Sequence, residues 1–189
     1  MEKADAILIG GAMAFTLLKV QGKNVGASLI DQDNLNTAED ILSLAEKTNT
    51  NIVLPFDVVA SSKLSEDATW RIADLDQLKT GDAGYDIGPE TTMEFEMILC
   101  NAKTIFWNGP LGVSEIPAFS TGTQAIASAV IDRTEEGAIS IIGGGDTASA
   151  LKQYGLEGRF THISTGGGAS LQLMSGKQLP ALEALQEYA

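Results

Sequence analysis

The chain has 189 residues, 44% of them hydrophobic and 20% charged, a composition that supports a packed core and excludes a disordered or low-complexity segment. Twelve Lys and Arg against 25 Asp and Glu leave a net charge of −13, which argues against nucleic acid as a partner, because binding a phosphate backbone needs clustered cations. With no apolar run of membrane-spanning length and no basic-then-apolar leader pattern, the expectation is a cytoplasmic protein with no membrane partner. The single cysteine, Cys100, cannot form an internal disulfide and reads, within Met97-Ile98-Leu99-Cys100, as a small buried hydrophobe.

In chain order, Ala6-Ile7-Leu8-Ile9 reads as a buried strand ending in Gly10-Gly11, followed by a helix from Ala12 to Val20 that Gly22 and Gly26 end. Asn36-Thr37-Ala38-Glu39 resembles a capped helix start, with Ile41, Leu42, Leu44 and Ala45 as its apolar face. Asn51-Ile52-Val53-Leu54-Pro55 is a strand stopped by its proline. Val58-Val59-Ala60 and Thr69-Trp70-Arg71-Ile72 bracket a polar turn, as an antiparallel hairpin does. Pro89 opens a helix at a position where its missing N–H costs nothing. A strand at Thr104-Ile105-Phe106-Trp107, a helix from Phe119 to Arg133, a strand at 139–143, a helix at 146–153, a strand at 161–164 and a helix at 168–175 complete the series.

Apolar strands alternating with amphipathic helices predict an α/β fold. The expected form is a three-layer α/β/α, Rossmann-like domain with a mainly parallel, roughly six-stranded sheet and a small antiparallel hairpin. No repeat or linker divides the chain, so residues 1–189 are expected to form one domain. Ligands of such folds bind beyond the carboxyl ends of the strands. Several strands end there in glycine: Gly10-Gly11, Asn108-Gly109-Pro110, Gly143-Gly144-Gly145 and Gly166-Gly167-Gly168. Turns of this kind on one edge describe a crevice floored by main-chain amides.

The run Ile141-Ile142-Gly143-Gly144-Gly145-Asp146-Thr147-Ala148 is the most informative of these. Strand, glycine turn and helix start bring unpaired N–H groups together, and the helix dipole adds positive potential that favours an anion. Asp146 beside bound phosphates would repel them unless Mg²⁺ bridged the two, and Mg²⁺ commonly takes one or two carboxylates plus phosphate oxygens. The plainer alternative is a glycine turn with Asp146 as an ordinary N-cap. None of the twelve Lys and Arg lies in these glycine-rich segments, so the cations of phosphoryl transfer must come from a metal or from another part of a larger protein.

Trp107-Asn108-Gly109-Pro110-Leu111-Gly112-Val113, Gly143-Gly144-Gly145-Asp146-Thr147 and His162-Ile163-Ser164-Thr165-Gly166-Gly167-Gly168-Ala169-Ser170 resemble, in that order, the motifs of the phosphoglycerate kinase family. Ile9-Gly10-Gly11-Ala12-Met13-Ala14 and Gly84-Tyr85-Asp86-Ile87-Gly88-Pro89 fit as well, so the likeness runs from end to end. The family's enzymes have two lobes and move a phosphoryl group reversibly between 1,3-bisphosphoglycerate and MgADP, giving 3-phosphoglycerate and MgATP. The resemblance implies that this chain is the carboxyl-terminal, nucleotide-binding domain alone. It implies also that the amino-terminal triose-binding domain and its arginines are absent, as is the family's Gly-Gly-Ala-Lys stretch, whose lysine contacts the transferring phosphate. A chain so placed is expected to bind ADP or ATP with Mg²⁺ yet transfer little or nothing alone, and to be part of a monomer when full-length.

By the same resemblance Gly10, Gly11 and Gly84 would let adenine slide against backbone, with Tyr85 as a wall and Val113 against the base. Asn108 and Pro110 border the nucleotide near the sugar, and Glu115 takes the ribose, since a carboxylate accepts from both hydroxyls. Gly143, Gly144 and Gly145 seat the phosphates, Asp146 holds Mg²⁺ and Thr147 donates to a phosphate. Gly166, Gly167 and Gly168 are the catalytic positions, their N–H groups facing the phosphoryl group in flight. Position 114 is usually aromatic in the family and is Ser here, so the packing of that loop is expected to differ. His162, the single histidine, reads as a structural imidazole, because transfer to ADP needs no base. The helix Leu182-Glu183-Ala184-Leu185-Gln186 is expected to pack toward the missing lobe. A nicotinamide dehydrogenase is disfavoured, since Gly10-Gly11-Ala12-Met13 does not match a G-x-G-x-x-G fingerprint. A non-catalytic interaction module stays open as an alternative.

Overall fold

A computed structural model describes residues 3–164, 166–177 and 179, and the C-terminal stretch with Leu182 and Leu185 lies outside them. The chain divides into two compact units, Met1–Asn101 with Pro110–Ala129, and Ala102–Gly109 with Val130–Ala189.

The first unit contains β1 (Ala6–Leu8), α1 (Gly11–Val20), α2 (Leu35–Thr48), β2 (Asn51–Val53), β3 (Asp57–Ser61), β4 (Trp70–Asp74), β5 (Ala83–Ile87), α3 (Pro89–Leu99) and the first part of α4 (Thr121–Glu135). β1 and β2 pair in parallel, with Ile7 opposite Ile52. β3 is the centre of an antiparallel sheet in the order β4-β3-β5. All five residues of β3 are buried, while β4 alternates and leaves Trp70 and Ile72 exposed, as an edge strand with one wet face does. Phe15 and Leu18 of α1 pack with Val58, Ala60, Ala73, Leu75 and Leu78 into the core of this unit. The sequence pattern reveals the β3–β4 hairpin but not β5, where Gly84 and Asp86 are residue types depleted in strands.

Pro89 is the first residue of α3, as expected, and the helix buries Thr91, Phe95 and Leu99. Its N-cap, Gly88, has no side chain to cap with. Asp57, 1% exposed on β3, does so from a distance: its Oδ1 accepts from the Thr91 N–H at 2.7 Å and its Oδ2 from the Glu90 N–H at 3.0 Å. Cys100 follows Leu99 by a hundred-degree turn of the helix, off the Thr91–Phe95–Leu99 face. It is therefore exposed, not buried as expected, and its Sγ donates to the Met97 carbonyl at 2.9 Å.

The second unit holds β6 (Thr104–Asn108), the end of α4, β7 (Ile139–Gly143), α5 (Gly145–Gln153), β8 (His162–Ser164) and α6 (Gly167–Met174). The three strands form a parallel sheet in the order β6-β7-β8, with Asn108 opposite Gly143 and Gly143 opposite Ser164. The α/β class, with parallel sheets and a small antiparallel one, is thus as expected. Its parallel strands hydrogen-bond in a group of two and a group of three.

Candidate functional site

In the second unit the register brings the carboxyl ends of β6, β7 and β8 side by side, so the turns at Asn108-Gly109, Gly143-Gly144-Gly145 and Gly166 share one sheet edge. Three of the four glycine turns therefore gather as the strand pattern requires. Gly144 is the N-cap of α5 and sits at φ +94°, a left-handed conformation that glycine adopts without strain. A Cβ on Gly144 would come within 2.7 Å of the Asn108 Oδ1, whereas Gly145 and Gly168 have open space where a Cβ would point. Asp146 is not the N-cap; it lies exposed in the first turn of α5. Thr147 is fully buried, and its Oγ1 accepts from the Gly109 N–H at 2.7 Å, which ties the β6 turn to the β7 turn. Gly167 opens α6, and the Ser170 N–H closes its first turn on the Gly166 carbonyl at 3.1 Å. His162 is exposed on β8 and so does not hold a core together, contrary to the structural imidazole expected of it.

The remaining candidate residues lie in the first unit. The Gly11 N–H donates to the Leu111 carbonyl at 2.9 Å, so the Gly10-Gly11 turn meets the Pro110-Leu111 segment directly. Tyr85 is half-buried and its ring packs on Phe119 at 5.1 Å between centroids, with Val113, Ile116 and Ala118 in the same cluster. The Val113 N–H donates to the Tyr85 carbonyl at 2.9 Å. Gly84 faces inward, where a Cβ would strike the Phe15 ring and come within 3.3 Å of Val58 Cβ, so core packing accounts for this glycine. Ser114 is buried, which shows how the loop accommodates a small residue there, and Glu115 beside it is exposed. Beside the Gly10-Gly11 turn, Ile9, Ala12, Met13, Leu17, Leu29 and Ile41 line an apolar cavity of about 600 Å³, within the size range of small-molecule sites.

Two residues to which the sequence alone assigned no role organise this loop. Asp86, 3% exposed, accepts from the Gly122 N–H at 2.7 Å and from the Ile87 N–H at 2.9 Å. Burial pushes its carboxyl up to about 7, while those two N–H donors pull in the opposite direction. Thr123, fully buried on α4, accepts from the Leu111 N–H at 3.0 Å and the Gly112 N–H at 3.3 Å. An aspartate in the middle of an otherwise uncharged strand is the one sequence signal that could have flagged this pair. Among the described residues no group of three or more His, Cys, Asp or Glu is placed to hold a metal ion.

A family model described as phosphoglycerate kinase matches residues 1–177. A curated phosphoglycerate kinase of Chloroherpeton thalassium is 49% identical over 185 residues, which is 98% of this chain and 47% of that protein. One of Synechococcus elongatus is 43% identical over 189 residues, again 47% of its own length. Among solved structures, the phosphoglycerate kinase of Coxiella burnetii superposes with a TM-score of 0.93 at 40% identity, covering 100% of this chain and 48% of that one. The enzyme of Pyrococcus horikoshii OT3 gives 0.79 at 31% identity, covering 98% of this chain and 46% of that one. The chain thus spans about half the length of the curated relatives it matches.

Proposed function

This chain belongs to the phosphoglycerate kinase family, a family of kinases, and from that premise we propose that it is the nucleotide-binding half of such an enzyme. In this reading its ligands are ADP and ATP with Mg²⁺. The reaction of the whole protein is reversible phosphoryl transfer between 1,3-bisphosphoglycerate and MgADP, yielding 3-phosphoglycerate and MgATP, a step of glycolysis in the cytoplasm. This half binds nucleotide and transfers little or nothing without a triose-binding half.

The observation that carries the reading is the start of α5: a left-handed Gly144, an uncrowded Gly145, and an exposed acid in the first helical turn. A Cβ on Gly145 would meet nothing within 4 Å, and the first N–H groups of a helix have no internal partner, a combination that suits a phosphate at a helix N-terminus. Gly143, Gly144 and Gly145 take the diphosphate. Asp146 is the single carboxylate at the turn, which suits a magnesium ion that arrives with the nucleotide and draws its other ligands from phosphate and water. That ion supplies, when bound, the positive charge that these segments lack. Thr147, fully buried, holds the turn through Gly109 and so shapes the phosphate seat rather than donating to a phosphate itself. The amides at Gly166, Gly167 and Gly168 serve the transferring phosphoryl group, whose charge spreads over three equatorial oxygens. Adenine is assigned to Gly10 and Gly11 next to the apolar cavity, with Tyr85 as a wall and Val113 against the base; Gly84, turned toward Phe15 in the core, is left out of that contact. The sugar is assigned to Asn108, Pro110 and Glu115.

Calorimetric titration of the 189-residue chain with MgADP tests this: saturable one-to-one binding that weakens when Mg²⁺ is removed is expected. Absence of binding at millimolar nucleotide, or tighter binding of NADH, overturns it. Supplying a triose-binding half should restore transfer from 1,3-bisphosphoglycerate, and full activity of this chain alone would contradict the division of labour.

A further inference from the structure

We propose that Asp86 is a positioning residue for the nucleotide loop at 110–115: its carboxylate fixes the first turn of α4, and that turn holds the loop through Thr123. The proposal rests on the reading that this loop carries sugar and base contacts. The first N–H groups of a helix have no internal partner, and a nearby side chain ordinarily caps them. Ser120, the residue before α4, is engaged elsewhere: its Oγ donates to the Pro117 carbonyl at 3.1 Å and accepts from Gln124 Nε2 at 2.8 Å. The cap comes instead from Asp86, 36 residues away on β5, through the Gly122 N–H at 2.7 Å.

The adjoining residue carries the effect onward. Thr123 sits on the anchored turn and its hydroxyl receives two successive loop amides, Leu111 and Gly112. A second tether leaves β5 one residue earlier, where the Tyr85 carbonyl receives the Val113 N–H. Positions 111, 112 and 113 are thereby fixed in sequence to β5, twice through α4 and once directly, and Glu115 follows them exposed. The carboxylate is wedged between helix and loop: a Cβ on Gly122 would come within 2.6 Å of the Asp86 Oδ1, and one on Gly112 would strike the same oxygen. Asp57 offers an internal contrast, since it is as deeply buried and caps α3, a helix to which no nucleotide contact is assigned.

The test compares MgADP with magnesium pyrophosphate, titrated calorimetrically and by amide NMR into the full chain and its variants. Pyrophosphate needs only the turns of the second unit, whereas ADP needs the loop as well. Asp86→Asn should bind MgADP about tenfold more weakly, the size of one buried hydrogen bond, with pyrophosphate affinity unchanged. Thr123→Val, which keeps the side-chain shape, should show the same selective loss, while Asp57→Asn should lower the melting temperature without selectivity between ligands. Unchanged ADP affinity in both loop variants, or equal loss of both ligands, overturns the proposal; should Asp86→Asn not fold, Thr123→Val decides. Failure of the wild-type chain to bind ADP is a different result, and overturns the nucleotide reading itself.

Discussion

Glycine does two different jobs in this protein, as Gly10, Gly84 and Gly112 of the first unit show beside Gly145 and Gly168 of the second. In the first, Gly10, Gly84 and Gly112 are crowded: a Cβ on Gly10 would lie 2.5 Å from Leu111 Cδ2, and those on Gly84 and Gly112 would meet Phe15 and Asp86. These residues are small because the protein itself fills the space. In the second unit, Gly145 and Gly168 have nothing within 4 Å of that position, so neither packing nor crowding explains them. Motif glycines that look alike in the sequence thus divide into those that packing demands and those left open to whatever approaches from outside.

Substitutions can break or sharpen that contrast. The largest effect is expected from Gly84→Val, which drives three carbons into Phe15 and Val58; overpacking should cost about 3 kcal/mol and lower the melting temperature by roughly 6–12 °C in thermal circular dichroism. A melting temperature equal to that of wild type would show that the first unit is not tightly packed there. Asp146→Ala should leave the melting temperature in place and weaken MgADP binding by roughly 10- to 100-fold, the range seen when groups supporting a metal are removed. Equal affinity by calorimetry would remove Asp146 from the metal.

The crowded region should also respond to pH. Burial raises the folded-state pKa of Asp86 from 3.8 to about 7, so between those values the native chain holds a proton that the unfolded chain has lost. This residue's contribution to stability is therefore present below about 4 and declines as pH rises towards 7, with a slope of at most about 1.4 kcal/mol per pH unit. Urea melts from pH 5 to 7 should show that slope in wild type and a flatter one in Asp86→Asn; parallel curves would mean that the carboxyl does not titrate there. The smallest effect is Gly145→Ala. With open space at the first position of α5, alanine should raise stability by about 0.5–1 kcal/mol while impairing diphosphate binding. A loss of stability would put Gly145 with the crowded glycines.

Much of this was readable in the chain itself. The expected strand at 139–143 agrees with β7 residue for residue, and Pro89 opens α3, because apolar runs and a missing N–H are local signals. Glycine turns after β6, β7 and β8 could be assigned to one edge, since parallel strands linked by helices must point the same way. The sequence did not reveal β5, the burial of Asp57 and Asp86, or the exposure of Cys100 and His162. β5 and the two aspartates depend on partners far along the chain: β5 pairs with β3, Asp57 caps a helix 33 residues on, and Asp86 one 36 residues on. Periodicity reports which face of an element is apolar, but not which distant N–H lacks a partner. Only the folded chain decides where a buried carboxylate goes, because burial is tolerable only where enough donors converge on it.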